Sequence, residues 1–531
     1  MSASTQPSES DTPFFTDGVV LALSIVLGLS VYVFTSSRRK QLAPYPPGPP
    51  GRFIIGNALD FDVGRPWIKF TEWKEQYGDV VGLRVPGMNI VALNSQKAIN
   101  DLLDRRANKY SDRPHFTVGC EILKLEKSMT MMPYGAEWRL CRKVQNTALS
   151  QTAVKQYHTM QEDIATLMAK EFIDTPADFF NLARLCAGRI VLSITYGLSV
   201  KTVDSEASRM RTWIECLWYV THADETMRLV GQSITPGAYL ADMIPTLKYL
   251  PSWVPFQKRA AHAARMVLKM NDMPYAHAKK NIASGMAGPS LTREILAGLS
   301  GEEKTPEMDE RMKWTMGAMY GAGGETTFAT VLVFLMVMAL NPEAQKKAQQ
   351  ELDAHIGTDR LPLVSDRGEM PYIEACIKET MRWNPVVPLS IARRTAEDDI
   401  YEGYFIPKGT VVMPNSWAMA FAPDAKYPPR EFHPERFLDP ETHTLDPGAY
   451  VFGYGRRICP GRYVAENSVF ILLATILSVF DVTSPPASEV GLEVLMRRDE
   501  CSYPKDFKVT IKPRSKDKEE MVRRRAAQST V

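Results

Sequence analysis

Cysteine is scarce in this chain of 531 residues: there are seven, scattered, with no two at a C-x-x-C spacing. An odd number without paired spacing argues against a disulfide framework or a zinc site and favours a reducing compartment. An excess of either charge is also missing. Lys and Arg total 63 against 61 Asp and Glu, for a formal net charge of +2. Bulk electrostatics therefore points to no nucleic acid and no acidic partner. No internal repeat and no obvious linker interrupts the stretch from about Arg52 to Lys512. No flavin or nicotinamide fingerprint is present either, so electrons for any redox chemistry must come from outside the chain.

What is present begins with an uncharged apolar run, GVVLALSIVLGLSVYVF, from Gly18 to Phe34. That length is at the short end of what crosses a bilayer as a helix. Arg38, Arg39 and Lys40 follow it, whereas Glu9, Asp11 and Asp17 precede it. The positive side is C-terminal, so the rest of the chain is expected in the cytosol. A cleaved signal peptide fits less well, because there is no basic n-region and no clear Ala-x-Ala site. The reading is a lumenal tail over 1–17, a transmembrane anchor over 18–34 and a basic, proline-rich linker over 35–51. Within that linker PYPPGPPG, Pro44 to Gly51, reads as a semi-rigid strut. The catalytic body is expected over 52–512 and a solvated charged tail over 513–531.

Between the ends helices dominate, and the expected class is mainly α with a minor β region. NPEAQKKAQQELDAHI opens with Asn-Pro and carries Ala344, Ala348 and Leu352 on one helical face. PYIEACIKETMRW begins with proline and stops before Asn384-Pro385. FATVLVFLMVMAL, Phe328 to Leu340, is too short for a second span and reads as a buried core helix. VVGLRVPGMNIVAL predicts a hairpin turning at Pro86-Gly87, and YEGYFIPKGTVVMP another turning at Pro407-Lys408-Gly409.

Four constellations carry chemistry. In GAMYGAGGETT the glycines Gly321, Gly323 and Gly324 each cost about 1 kcal/mol relative to alanine inside a helix. They point to a flat or bulky object against bare backbone, or to a kinked core helix. Thr326 can bond back to the carbonyl four residues earlier, and Glu325 beside it makes an acid–hydroxyl pair able to relay protons into an apolar cavity. Glu379 and Arg382 lie three apart on one helical face, and Arg436 in HPERF offers a second guanidinium. A glutamate forked between two arginines would pin that loop to the helix. Trp138 stands four residues before Arg142, so an indole N–H sits beside a guanidinium, a pairing suited to carboxylate or phosphate. Finally, FGYGRRICPG surrounds Cys459 with glycines and arginines, which suits a thiolate or an acidic cofactor. The apolar stretch beyond it reads as a helix starting near Pro460, whose dipole favours the thiolate.

Taken in order, WxxxR (Trp138, Arg142), AGGETT (Ala322 to Thr327), ExxR (Glu379, Arg382), PERF (Pro434 to Phe437) and FxxGxRxCxG (Phe452, Gly455, Arg457, Cys459, Gly461) resemble the cytochrome P-450 superfamily of haem-thiolate monooxygenases. The resemblance covers essentially the whole chain and is similar to fungal microsomal members. It implies the P-450 fold, with haem b held through Cys459 as axial iron ligand. Phe452 would pack against the ring, and Trp138, Arg142 and Arg457 would hold the propionates. Where the family often has histidine, this chain has Ala392-Arg393-Arg394, and Arg393 would make that contact. Glu325 and Thr326 would pass protons to dioxygen. The implied partners are a membrane-bound NADPH–cytochrome reductase, membrane lipid, O2 and an apolar small-molecule substrate. The implied location is the endoplasmic reticulum membrane, with Arg456 and Lys143 on a basic docking face. Substrate walls are expected at Phe116 to Ile122, Trp218 to His222, Met316 to Tyr320, Val386 to Leu389 and Glu500 to Ser502. The guest would be a terpenoid, steroid, polyketide or xenobiotic aromatic. A haem-thiolate isomerase or dehydratase and a non-catalytic haem-binding protein are the alternatives.

Overall fold

The computed structural model describes residues 43–60, 64–198, 206–484, 504 and 507–529. The expected anchor over 18–34 lies outside the described residues. The main body is built on helices, beginning with α1 (Pro66–Tyr77), α2 (Ala136–Leu149), α3 (His158–Asp174) and α4 (Phe179–Tyr196). Then come α5 (Glu206–Ile234), α6 (Pro255–Ala283), α7 (Leu291–Gly298) and α8 (Pro306–Leu340). The set ends with α9 (Pro342–Ile356), α10 (Pro371–Trp383), α11 (Arg462–Val479) and α12 (Lys516–Gln528).

Local sequence explains the starts of the key helices. Thr305 accepts a hydrogen bond from the Met308 N–H, Pro306 occupies the first turn, and Glu307 and Asp309 sit where the helix dipole favours acid. From Thr327 to Ala339 every residue of α8 is buried. Among the described residues α8 and α11 are apolar and long enough to cross a membrane, but 72% of each apolar window is buried in the protein. They are core helices, as the composition of Phe328 to Leu340 predicts. Helix α8 is also one unbroken helix through its glycines, from Pro306 to Leu340.

The glycines of α8 serve helix packing. A Cβ on Gly323 would lie 2.9 Å from the Val191 side chain of α4, and one on Gly321 would lie 2.7 Å from the Met227 sulfur of α5. Gly324 faces the Cα of Gly188 on α4. The expected flat object against bare backbone is therefore replaced at these positions by neighbouring helices.

Strands β1 (Val80–Val85) and β2 (Met88–Leu93) form the predicted hairpin about Gly87, whose φ is +75°. Strands β3 (Arg393–Arg394), β4 (Asp399–Tyr401), β5 (Tyr404–Ile406) and β6 (Val411–Pro414) correct the second prediction. The turn falls at Glu402-Gly403, both with positive φ (49° and 82°), which matches the twist of a two-residue hairpin. β6 pairs parallel with β2 and antiparallel with β3. The β4–β5 hairpin belongs to a small separate unit in which the Phe405 N–H donates to the Pro44 carbonyl. Strands β7 (Phe480–Thr483) and β8 (Thr510–Pro513) form a last antiparallel pair.

Both ends of the expected body move outward. From Pro47 onward the proline-rich segment is part of the main body. The Gly82 N–H donates to the Pro47 carbonyl at 2.8 Å, and a Cβ on Gly48 would lie 2.0 Å from the Gly82 oxygen. The strut is docked on β1 at that end. The expected solvated tail over 513–531 is instead largely helical. Ser515 caps α12, and Lys518, Met521, Val522 and Ala526 bury one stripe. Arg525 pairs with buried Asp163 at 2.6 Å and Arg523 with Asp174 at 2.8 Å on α3.

Candidate active site

The long cavity of the main body leaves about 320 Å³ for the centres of water-sized molecules, and Thr326 and Cys459 both line it. Its thiol end is built by a loop whose turns require glycine. Gly453 and Gly455 have φ of +77° and +52°, and a Cβ on Gly455 would meet the Leu103 oxygen at 2.1 Å. The Cys459 N–H closes the loop on the Phe452 carbonyl at 2.8 Å. Helix α11 then starts at Arg462, two residues beyond the predicted Pro460. Burial pushes the Cys459 thiol up; the Gly461 N–H, Arg142 and Arg462 pull it down less strongly. A thiolate here requires a cation at the sulfur, and a coordinated metal supplies one.

Four arginines line the same cavity: Arg113, Arg142, Arg393 and Arg457. Among the described residues its lining contains no Asp or Glu. Arg457 donates to the carbonyls of Ser111, Met129 and Met132 at 2.9, 3.1 and 2.7 Å. Arg393 donates to the Tyr454 carbonyl at 2.8 Å, and Arg142 to that of Ile458 at 2.7 Å. Burial, with Arg457 nearby, pushes Arg393 down to about 9, and burial pushes Arg457 down to about 10. The Trp138 indole lies with the Arg457 guanidinium 4.7 Å from its ring centre. Its Nε1–H is buried and has no protein partner.

These features fit an acidic macrocycle. A buried orphan donor and clustered guanidiniums lacking a carboxylate require an anion. Cys459 is a soft ligand for iron, and the Phe452 ring lines the same space. Sequence reasoning missed Arg113, which donates to the carbonyls of Thr130 and Ala392 at 2.8 and 2.7 Å. Neighbouring Asp112 suggests an ordinary local pair, but Asp112 pairs with Arg394 instead.

The acid–hydroxyl pair is divided. Thr326 lines the large cavity and its hydroxyl donates to the Ala322 carbonyl at 3.1 Å, the predicted back-bond. Glu325 lines a second, small cavity and is absent from the wall of the first. The substrate walls are likewise only partly as expected. Ala318, Met319, Val386 and Val387 line the cavity. Phe116, Val118 and Cys120 are buried in a separate cluster with Val267 and Trp314, and the Trp218 ring stacks on His222 at 4.7 Å. Glu500 to Ser502 lie outside the described residues.

The Glu379–Arg382 charge pair is a buried triad with Arg436. Glu379 accepts from Arg382 at 2.6 and 2.9 Å, from Arg436 at 3.0 Å and from the His433 N–H at 2.8 Å. Arg382 also donates to the carbonyls of Ala420, Pro429 and Glu431. This clamp ties α10 to the loop that leads toward Cys459.

A family model described as Cytochrome P450 matches residues 46–496. Cytochrome P450 monooxygenase claR of Ampulloclitocybe clavipes is 35% identical over 519 residues, covering 96% of this chain and 94% of that protein. Cytochrome P450 monooxygenase COX1 of Coprinopsis cinerea is 35% identical over 504 residues, covering 92% and 95%. Cytochrome P450 monooxygenase 105 of Postia placenta is 35% identical over 507 residues, covering 93% and 94%. With a thiol, a buried arginine cluster and a threonine-bearing core helix around one cavity, and with relatives of this extent, the chain belongs to the cytochrome P450 family of monooxygenases.

Proposed function

We propose that this monooxygenase is membrane-anchored, takes electrons from NADPH–cytochrome reductase and oxidises an apolar small molecule at a haem held by Cys459. The observation that carries the cofactor reading is the cavity that brings the Cys459 thiol together with four arginines, no acid among the described lining residues, and the partnerless Trp138 N–H. Haem bearing a thiolate ligand supplies reductive cleavage of dioxygen and insertion of one oxygen atom into a substrate bond.

The chain's own residues have distinct tasks. Trp138, Arg142, Arg393 and Arg457 would hold the two propionates, and Phe452 would pack against the ring. Arg113 adds a fifth contact that the motifs do not mark. Thr326, at the cavity wall, releases its bond to Ala322 to hand on a proton, and Glu325 replaces that proton from the far side of α8. Ala318, Met319, Ala322, Val386, Val387 and Ile391 exclude water and orient the guest. This wall is aliphatic; among the described residues the aromatic rings of the cavity are those of Trp138 and Phe452. An alicyclic guest such as a terpenoid or steroid suits it better than a flat aromatic. Arg456 and Lys143 are exposed and available to an acidic docking partner.

The test has two parts. Reduced, carbon monoxide-bound absorption spectra report thiolate ligation. NADPH-dependent product formation with the reductase, over a panel of terpenoids, steroids, polyketides and aromatics, reports substrate class. A full haem load without the thiolate spectrum refutes Cys459 as ligand.

A further inference from the structure

Helix α11 opens with the wrong charge for a helix start. Its first residue is Arg462 and its first turn holds no acid, although the positive end of the helix dipole favours one. One turn on, Glu466 accepts from Arg462 at 2.6 Å. That order, base before acid, is the weaker one for a pair four residues apart. Helix stability therefore does not explain the pair, whereas its surroundings do. The Arg462 guanidinium lies 5.5 Å from the ring centre of Phe452, whose carbonyl accepts the Cys459 N–H at 2.8 Å. Gly448 leaves room for it, since a Cβ there would lie 3.1 Å from an Arg462 nitrogen. The second Glu466 oxygen faces Arg367 at 3.9 Å, and Arg367 in turn donates to Glu374 at 2.7 and 2.9 Å. Arg462 keeps 36% side-chain exposure and Glu466 17%, so solvent screens the arginine more than the acid.

We propose that the Arg462–Glu466 pair sets the electrostatic potential at the Cys459 sulfur and, through it, how readily the bound haem accepts an electron. The inference rests on the reading of Cys459 as the iron ligand. Burial pushes that thiol up; Arg142 and Arg462 pull it down, and Glu466 pushes it up again. In the loaded protein the propionates would balance the cavity arginines, Arg142 among them. Arg462 is not part of the cavity wall, so its charge stays available to the sulfur, diminished by Glu466. Uptake of one electron adds negative charge at the iron and its sulfur ligand and makes or breaks no bond. A nearby cation favours that step and a nearby anion opposes it. Arg462 and Glu466 are thus positioning residues whose effects on the same step have opposite signs.

The experiment uses the haem-loaded full chain in detergent, poised with dithionite and mediator dyes at the potential where the parent is half reduced. Absorption gives the ratio of reduced to oxidised haem. Arg462→Met is expected to lower that ratio about fivefold and Glu466→Gln to raise it about threefold. Arg462→Lys, which keeps the charge, is expected to stay within about twofold of the parent. Arg462→Gln serves if Arg462→Met does not fold. A role confined to packing would move both charge-removing variants the same way. Shifts in one direction, or no shift in either variant, overturn the inference while the parent's thiolate spectrum upholds Cys459 as ligand. A parent fully loaded with haem but lacking that spectrum overturns the ligand reading, and the tuning with it.

Discussion

Removing Glu379 tests whether the buried triad is one unit. Glu379, Arg382 and Arg436 are 0, 1 and 2% exposed. In Glu379→Ala Arg382 loses its carboxylate and Arg436 keeps only Asp424 at 4.0 Å, while both stay buried. Arg382 keeps its bonds to the carbonyls of Ala420 and Pro429 at 2.9 and 2.8 Å, and Arg436 keeps that of Pro428 at 3.1 Å. Those dipoles soften the loss without cancelling two charges, so the expected cost is about 3–5 kcal/mol. In Arg382→Ala the carboxylate keeps Arg436 and the His433 N–H, but the three carbonyls that Arg382 served lose a donor. Unsatisfied buried acceptors cost about 1–3 kcal/mol each, and water entering the vacated space relieves part of this. In the double variant the unpaired Arg382 charge of Glu379→Ala is gone, although the three carbonyls still lack its donors. Its cost should fall below the sum by about 1–3 kcal/mol. Urea unfolding of the haem-loaded chain in detergent, followed by tryptophan fluorescence, measures all three. Additivity within about 0.5 kcal/mol would refute the claim that the charges act together.

Other outcomes follow from single positions. Cys459→Ser is expected to lose the thiolate spectrum and nearly all turnover, read by carbon monoxide difference spectra and product assay. Thr326→Ala should still consume oxygen but release it as peroxide; coupling equal to the parent would remove Thr326 from proton delivery. Asp242 is pushed up to about 6 by burial, and its Oδ2 has no partner, while Oδ1 accepts from the Val118 N–H. Because its folded value lies above the unfolded one of 3.8, stability falls as pH rises from about 4 to 6 and stays lower above that. Asp242→Asn, which retains an acceptor, should stabilise the chain at pH 7.5 by about 1–2 kcal/mol and by much less near pH 4, in urea titrations at both values.

The legible parts of the molecule are those where chemistry dictates residue type. Cys459, Trp138, Arg142, Arg393 and Arg457 stand on one cavity because a soft ligand and anion-binding donors leave few substitutes. Helices α9 and α10 were readable to their ends because Pro342 and Pro371 mark first turns and Gly357 and Asn384 terminate them. What stayed hidden depends on partners distant in sequence. The stripe Lys518, Met521, Val522 and Ala526 is masked by seven charged neighbours within α12, and only α3 shows why it is buried. The helix glycines suggested a ligand because nothing local reveals Val191, Met227 and Gly188 across the interface. The side of α8 on which Glu325 falls is set by α4 and α5, which sequence adjacency to Thr326 cannot report.

The arginine cluster also says how the cavity relates to the rest of the fold. Guanidiniums buried without a hydrogen-bonded carboxylate cost stability, and the Asp104 and Asp112 charges near Arg393 and Arg457 offset the effect of burial only in part. Here burial presses Arg393 and Arg457 downward, and their hydrogen bonds reach only neutral carbonyls. The Trp138 N–H has no partner in the protein. The positive charge and the orphan donor share one wall, so a single dianionic group relieves both at once. Anything that binds the folded chain and not the unfolded one stabilises it by mass action. The cavity is thus an unfinished part of the core, and the same arginines that weaken the empty protein make loading of the acidic cofactor and completion of the fold one coupled event.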